Sequence, residues 1–216
     1  MPSAFKEIEL KLAFSDESIG EKIVREKYLT DMLVPGTERK MLLETVYYDT
    51  PSGVLQRARL SYRIRRQEDE WIATVKADGA SSGGLHERSE WSVVVNEPTP
   101  DITPFSALPA GERLQVALGE ETLIETARTR FVRQSMDLRY QETLIELAVD
   151  KGEILAANKS EPIREIELEL KEGEVSALLE IAETLRGIYE LFPEERSKYH
   201  RGLVLAGRIE QLKRGV

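Results

Sequence analysis

The feature that most constrains this chain is a strict alternation of charged and apolar residues near both of its ends. Glu7-Ile8-Glu9-Leu10-Lys11 near the start is answered by Glu165-Ile166-Glu167-Leu168-Glu169-Leu170-Lys171. Successive side chains of a β-strand point to opposite faces, so each stretch predicts a strand with one charged and one apolar face. A half-buried strand with one wet face accounts for most patterns of this kind. It does not account for the carboxylates: neighbouring Glu residues on one face repel each other and need cations, from protein or from metal, between them.

The same alternation recurs along the chain. Strands are predicted at residues 4–14, 42–49, 58–68, 70–77, 86–95, 122–138 and 141–150, besides the second Glu-rich one. Arg63 and Arg65 oppose Leu60, Tyr62 and Ile64, and Lys76 opposes Ala73, Val75 and Ala77. Arg88 and Glu90 oppose Trp91, Val93 and Val95; Arg128 and Arg130 share a face; Glu146 and Asp150 oppose Leu147 and Val149. Between the strands, helices are expected at 17–33, in short pieces within 98–119, at 174–192 up to Pro193, and at 195–212. Turns are expected at Arg139-Tyr140, at Asp150-Lys151-Gly152-Glu153, and in a flexible Gly-Ser connection at 78–84. That connection lacks the lysine and the helix of a P-loop.

In an ordinary sandwich the charged faces meet solvent. Charges of mixed sign on so many strands suggest instead a closed antiparallel barrel, with apolar faces outward against helices and charged faces lining a lumen. Carboxylates beside arginines and lysines in a partly water-excluded space call for a ligand that complements both. A polyphosphate with divalent cations does so, since phosphate oxygens take Arg and Lys while metal bridges carboxylate to phosphate. Carboxylate-only ligation points to Mg²⁺ or Mn²⁺ over zinc or copper.

Composition narrows the alternatives. With 216 residues, 41% of them hydrophobic, the chain can bury one good core and is expected to form a single domain. The absence of cysteine excludes a disulfide scaffold, a thiolate zinc site and thiol catalysis, and two histidines leave little room for a His-based metal site. A net charge of −9 argues against nucleic acid as a partner. There is no apolar run of roughly 18 residues and no charged-then-apolar leader, so a cytoplasmic protein without membrane contact is expected.

Several further stretches stand beside Glu7, Glu9 and Lys11: Tyr47-Tyr48-Asp49-Thr50-Pro51, Arg63-Ile64-Arg65, Val75-Lys76, Gly84 to Glu90, Arg128-Thr129-Arg130, Ile145-Glu146 to Gly152, Glu161 to Leu170, and Ser197-Lys198. Together they resemble the CYTH superfamily of triphosphate tunnel metalloenzymes, whose hallmark is Glu-x-Glu-x-Lys on the first strand. Within it the chain looks most like the bacterial inorganic triphosphatases. The resemblance implies an α+β, mainly β fold: an eight-stranded antiparallel tunnel with helices packed outside, occupying the whole chain as one CYTH domain. It implies two divalent cations held by Glu7, Glu9, Glu165, Glu167, Asp150 and Glu90, with Glu169 on the same face. Lys11, Arg63, Arg65, Lys76, Arg88, Arg128, Arg130 and Lys198 would bind the phosphoryl groups, and Glu7, Glu9, Lys11, Lys76 and Glu167 would carry catalysis. The implied reaction is hydrolysis of inorganic triphosphate to pyrophosphate and phosphate. A thiamine-triphosphatase, a nucleotide-acting member such as an adenylate cyclase, and a catalytically silent polyphosphate-binding module are the alternatives. The related triphosphatases often carry a helical CHAD domain, expected here to be missing or separate, and a homodimer is compatible with all of this.

Overall fold

The structure, a computed structural model, describes residues 5–210. Strand β1 (Phe5–Ala13) is followed by two short helices, α1 (Ser18–Ile23) and α2 (Lys27–Thr30). Next come β2 (Arg39–Asp49), α3 (Val54–Arg57), β3 (Leu60–Gln67), β4 (Glu70–Ser82) and β5 (Leu85–Val95). A 3₁₀ turn at Thr103–Phe105 leads into α4 (Pro109–Leu118). Then follow β6 (Ile124–Tyr140), β7 (Thr143–Ala156), β8 (Lys159–Glu172), α5 (Val175–Ile188), β9 (Phe192–Pro193) and α6 (Lys198–Leu205).

Eight long antiparallel strands run β1-β5-β4-β3-β2-β6-β7-β8, and β8 returns to β1. This is the closed barrel that the alternation predicts, and closure leaves no long unpaired strand edge. The apolar faces point outward into two layers. Leu10, Leu12, Leu147, Val149, Ile166 and Leu168 pack with Ile23 of α1, Leu29 of α2 and Leu178, Ile181 and Leu185 of α5. On the other side Tyr62, Ile64 and Val75 pack with Leu55 of α3, Phe105 of the 3₁₀ turn and Leu114 of α4. Each such fully buried side chain contributes roughly 1.5–3 kcal/mol, so the helices hold the barrel from outside and release its interior for polar chemistry.

Several expected boundaries move. The helix expected over 17–33 is two pieces, because Glu26 takes an extended conformation between them. No turn forms at Asp150–Glu153: β7 runs through it, and Gly152 lies so close to β6 that a Cβ there would meet the Arg130 carbonyl oxygen at 2.2 Å. The glycine is a site of close strand approach, not a turn. The β6–β7 turn falls at Gln141-Glu142, Gln141 with φ 53°, beyond Arg139-Tyr140. Residues 78–82 extend β4 past a bulge between Ala77 and Ala80. Helix α5 ends at Ile188, and Pro193 pairs with Leu12 instead of stopping a helix. The last helix is shorter than expected, and residues 211 and 212 of that expectation lie outside the described residues, as does residue 4 of the first strand.

Helix α6 also departs from the expectation that helices pack outside. Gly202 faces inward-pointing residues of β6 and β7: a Cβ on it would stand 2.6 Å from Ala127 Cβ and 3.6 Å from Ile154 Cγ2. The helix therefore enters one end of the barrel, and its first residue, Lys198, reaches the lumen.

Candidate active site

The inward faces enclose a cavity of about 270 Å³. Eight cations line it, Lys11, Arg63, Arg65, Lys76, Arg88, Arg133, Lys171 and Lys198, against five carboxylates, Glu7, Glu9, Glu90, Glu167 and Glu169. In a chain of net charge −9 this is a local excess of positive charge, which attracts anions.

The lumen has three regions. On β1, Glu7 accepts from Lys76 Nζ at 2.8 Å and from Arg88 Nε; Arg88 also reaches Glu9, and Lys76 bridges to Glu90 at 2.7 Å. Burial alone would push the Glu7 carboxyl up, but Lys76 and Arg88 hold it far below the usual range. Lys11 Nζ lies 3.0 Å from Glu9 and 3.1 Å from Glu167, joining β1 to β8. At the end that α6 enters, carboxylate oxygens of Asp150, Glu165 and Glu167 lie within 4.8 Å of one another. Lys198 Nζ sits among them, 2.7 Å from Asp150 and 3.0 Å from Glu167, and also bonds Glu165. Arg133 donates to Asp150 from Nε at 2.8 Å and bonds Glu167, while Arg201 donates to Glu165 at 2.9 Å. Burial raises the Asp150 and Glu167 carboxyls, and the surrounding cations more than reverse it.

The third region, on β2 and β3, is different. Arg65 Nε donates to Thr45 Oγ1 at 3.0 Å, and Arg63 stands beside Tyr47 with a buried Nε that finds no partner among the described residues. Desolvation and the neighbouring Arg63 and Arg133 cations bring Arg65 down to about 9. An arginine does not lose its proton in a protein; the shift marks a guanidinium short of counter-charge. Tyr47, pushed up by burial, is pulled below its ordinary value by Arg63, Arg65 and Lys198. This wall is short of counter-charge and can take anionic oxygens.

The CYTH domain family matches residues 6–203. The chain belongs to the CYTH family. An inorganic triphosphatase of Haemophilus influenzae is 32% identical over 210 residues, which are 94% of this CYTH chain and 56% of that protein. The chain thus spans little more than half the length of that curated relative. Among solved structures, a Hippeastrum protein described as having a dominant triphosphatase activity superposes with a TM-score of 0.59 at 21% identity, covering 96% of this chain and 98% of that one. A Pyrococcus horikoshii protein does so with a TM-score of 0.51 at 23% identity over 91% and 98%. At these identities the likeness concerns the fold.

Most of the residues singled out in the sequence converge in the CYTH lumen. Glu7, Glu9, Lys11, Arg63, Arg65, Lys76, Arg88, Glu90, Glu167, Glu169 and Lys198 line the cavity, and Asp150 and Glu165 adjoin it through Lys198. Glu169 sits nearer Lys171, at 2.9 Å, with its carboxyl raised by burial. Arg128 and Arg130 do not converge with the rest. Both point outward, more than half exposed, paired with Glu125 and Glu44. Their parity is that of Met136 and Leu138, which pack on the outer helices, and that signal was present in the sequence. Phe131 misleads, because this apolar ring faces the lumen, with Lys198 Nζ 4.8 Å from its centroid. Arg133 shares the parity of Phe131 and is the β6 cation that enters the lumen. Arg201, three residues after Lys198 on α6, could be found only once α6 was known to enter the barrel.

Proposed function

We propose that this chain hydrolyses inorganic triphosphate to pyrophosphate and orthophosphate with the help of divalent cations. The observation that carries the reading is the division of one closed lumen into an under-compensated arginine wall and facing carboxylate clusters. Desolvating this many charges costs several kcal/mol per ion, so the arrangement is poorly explained by stability and well explained by a ligand that bears both negative charge and metal. The family membership and the triphosphatase relative support the same substrate class.

The donor set fits a hard divalent cation, being carboxylate oxygen throughout. Asp150, Glu165 and Glu167 would hold one such ion only with the Lys198 ammonium, now bonded to all three, moved aside, and Glu7, Glu9 and Glu90 offer ligands for a second. Mg²⁺ or Mn²⁺ held there would supply positive charge and Lewis acidity. The side chains do the rest. Arg63 and Arg65 bind equatorial oxygens, and Lys76, Arg88 and Arg133 extend that grip along the chain of phosphoryl groups. As water adds to the terminal phosphorus, the bridging P–O bond breaks and pyrophosphate leaves with the electron pair. The cations take up the charge moving onto the leaving oxygen. The proton of the water would pass to Glu9 or Glu167, both bonded to Lys11. We place the enzyme in the cytoplasm, in keeping with its lack of cysteine.

Phosphate release from triphosphate, ATP, thiamine triphosphate and long-chain polyphosphate, each in Mg²⁺, Mn²⁺ and EDTA, tests the reading. Turnover of triphosphate above the others, lost in EDTA and lost in Glu9→Gln and Glu167→Gln with the fold intact, is expected. Binding of these anions without hydrolysis of any would identify a polyphosphate-binding module instead.

A further inference from the structure

Lys198 stands where a metal ion would. Oxygens of Asp150, Glu165 and Glu167 lie within 4.8 Å of one another, a spacing that one cation can bridge, and the Lys198 ammonium is bonded to all three. Asp150, Glu165 and Lys198 are buried, so this is an interior contact and not a surface pairing of mobile side chains. An ammonium and a divalent ion repel each other, and the three carboxylates cannot hold both between them.

The lysine is built to exchange. Its backbone is fixed, because Lys198 opens α6 and the Ser197 hydroxyl before it accepts from the His200 N–H at 3.1 Å. Its side chain is a flexible four-carbon stem, and it lines the main cavity as well as meeting the carboxylates. Lys198 Nζ lies 4.8 Å from the centroid of the Phe131 ring, and the Arg65 guanidinium lies 5.8 Å from the same centroid. The lysine therefore stands at the border between the carboxylates and the arginine wall. Turned toward that wall it leaves none of the three carboxylates alone, since Arg133 still bonds Asp150 and Glu167, and Arg201 still bonds Glu165. Turning has a cost: three charge-assisted hydrogen bonds are given up, and the ammonium moves where cations already outnumber carboxylates. Phosphate oxygens in the cavity offset both terms.

We propose that Lys198 is the resident cation of the seat formed by Asp150, Glu165 and Glu167, and that it competes with the divalent ion for that seat. The ion enters as Lys198 turns into the cavity, to the side from which it can meet phosphate oxygens. This exchange rests on the reading of the three carboxylates as a cation seat; it does not rest on hydrolysis.

Titration of Mn²⁺ into the full chain, with bound ion read from the loss of the free-ion electron paramagnetic resonance signal, tests it without turnover. Lys198→Met should bind Mn²⁺ about tenfold more tightly than the unaltered protein or better, the equivalent of about 1.4 kcal/mol. Asp150→Asn added to that variant should abolish the gain, which assigns it to this seat. Lys198→Gln should shift the affinity in the same direction and serves if Lys198→Met does not fold. Lys171→Met removes a lumen cation that bonds Glu169 at 2.9 Å and none of the three carboxylates, and should change Mn²⁺ affinity by less than about threefold. An equal gain in Lys171→Met would mean that net charge acts and not a contested seat, and would overturn the exchange. So would unchanged or weaker binding in the Lys198 variants, or no Mn²⁺ binding by any of these proteins. Phosphate release from triphosphate in Mn²⁺ separates the two ideas: a gain in Lys198→Met from a chain that hydrolyses nothing sinks the functional reading alone, and Mn²⁺-dependent hydrolysis with no gain sinks the exchange alone.

Discussion

Arg65 and Arg133 face the same lumen and predict opposite outcomes on removal. Arg133 is bound to Asp150 and Glu167, so Arg133→Met removes one of the cations that these buried carboxylates share with Lys198 and should cost about 1.5–3 kcal/mol, read as a fall in Tm. Arg65 has cations for neighbours and contributes its charge at a cost, so Arg65→Met should raise the Tm of the ligand-free protein while weakening triphosphate binding at least tenfold. A fall in Tm for Arg65→Met would show that its charge is compensated after all. Outside the lumen, Arg128→Gln and Arg130→Gln should change KM for triphosphate by less than about twofold, since exposed ion pairs are worth little and neither side chain reaches the cavity. The β1 and β8 residues were legible in the sequence because charge and apolarity alternate strictly over Glu7–Lys11 and Glu165–Lys171. On β6 they were not, because one aromatic ring, Phe131, occupies the charged face and inverts the apparent phase.

The barrel strands and α6 are known from the sequence in very different degrees. A strand announces its faces within a few residues, so β1, β3 and β8 could be assigned and oriented from their own pattern. Where α6 docks depends on a fit that pattern does not encode. Gly202 lets the helix lie against Ala127 and Ile154, and Lys198 then falls among three carboxylates. A side chain at 202 has no room, so Gly202→Val should lift the helix from the barrel end. The expected result is a loss of about 1–3 kcal/mol from overpacking, together with a fall in kcat, because Lys198 and Arg201 leave Glu165 and Glu167 with it. Gly202→Ala should give a smaller effect of the same sign in both. Loss of stability without any change in kcat would show that the lysine is not required at the carboxylate cluster.

Across the molecule the helices stabilise the barrel from outside, while the interior stores charge whose balance depends on pH. Glu7, Asp150 and Glu167 have folded-state values below their ordinary ones, as the cations beside them outweigh burial. Groups of that kind contribute stability that is complete above the unfolded carboxyl range, about 4 for Asp and Glu, and is lost as pH falls through the lower folded values. Glu169 has the opposite sign: burial raises it despite Lys171 at 2.9 Å, so its ionised form lowers stability at neutral pH. The two signs separate in one experiment, thermal melting in EDTA from pH 7 down to pH 3. The unaltered protein should hold its Tm to about pH 5 and lose it steeply below, as proton uptake on unfolding comes to favour the unfolded chain. Glu169→Gln should melt higher at pH 7, and its advantage should shrink as pH falls through the raised value, where the native Glu169 becomes neutral as well. Glu167→Gln should melt lower at pH 7, because Lys11, Lys198 and Arg133 lose a common partner, and its deficit should begin to close below about pH 4, where Glu167 of the unfolded chain takes up a proton while the native carboxyl stays ionised. Parallel curves for all three proteins would mean that the lumen charges do not couple to folding, and that the barrel is held by its two outer apolar layers alone.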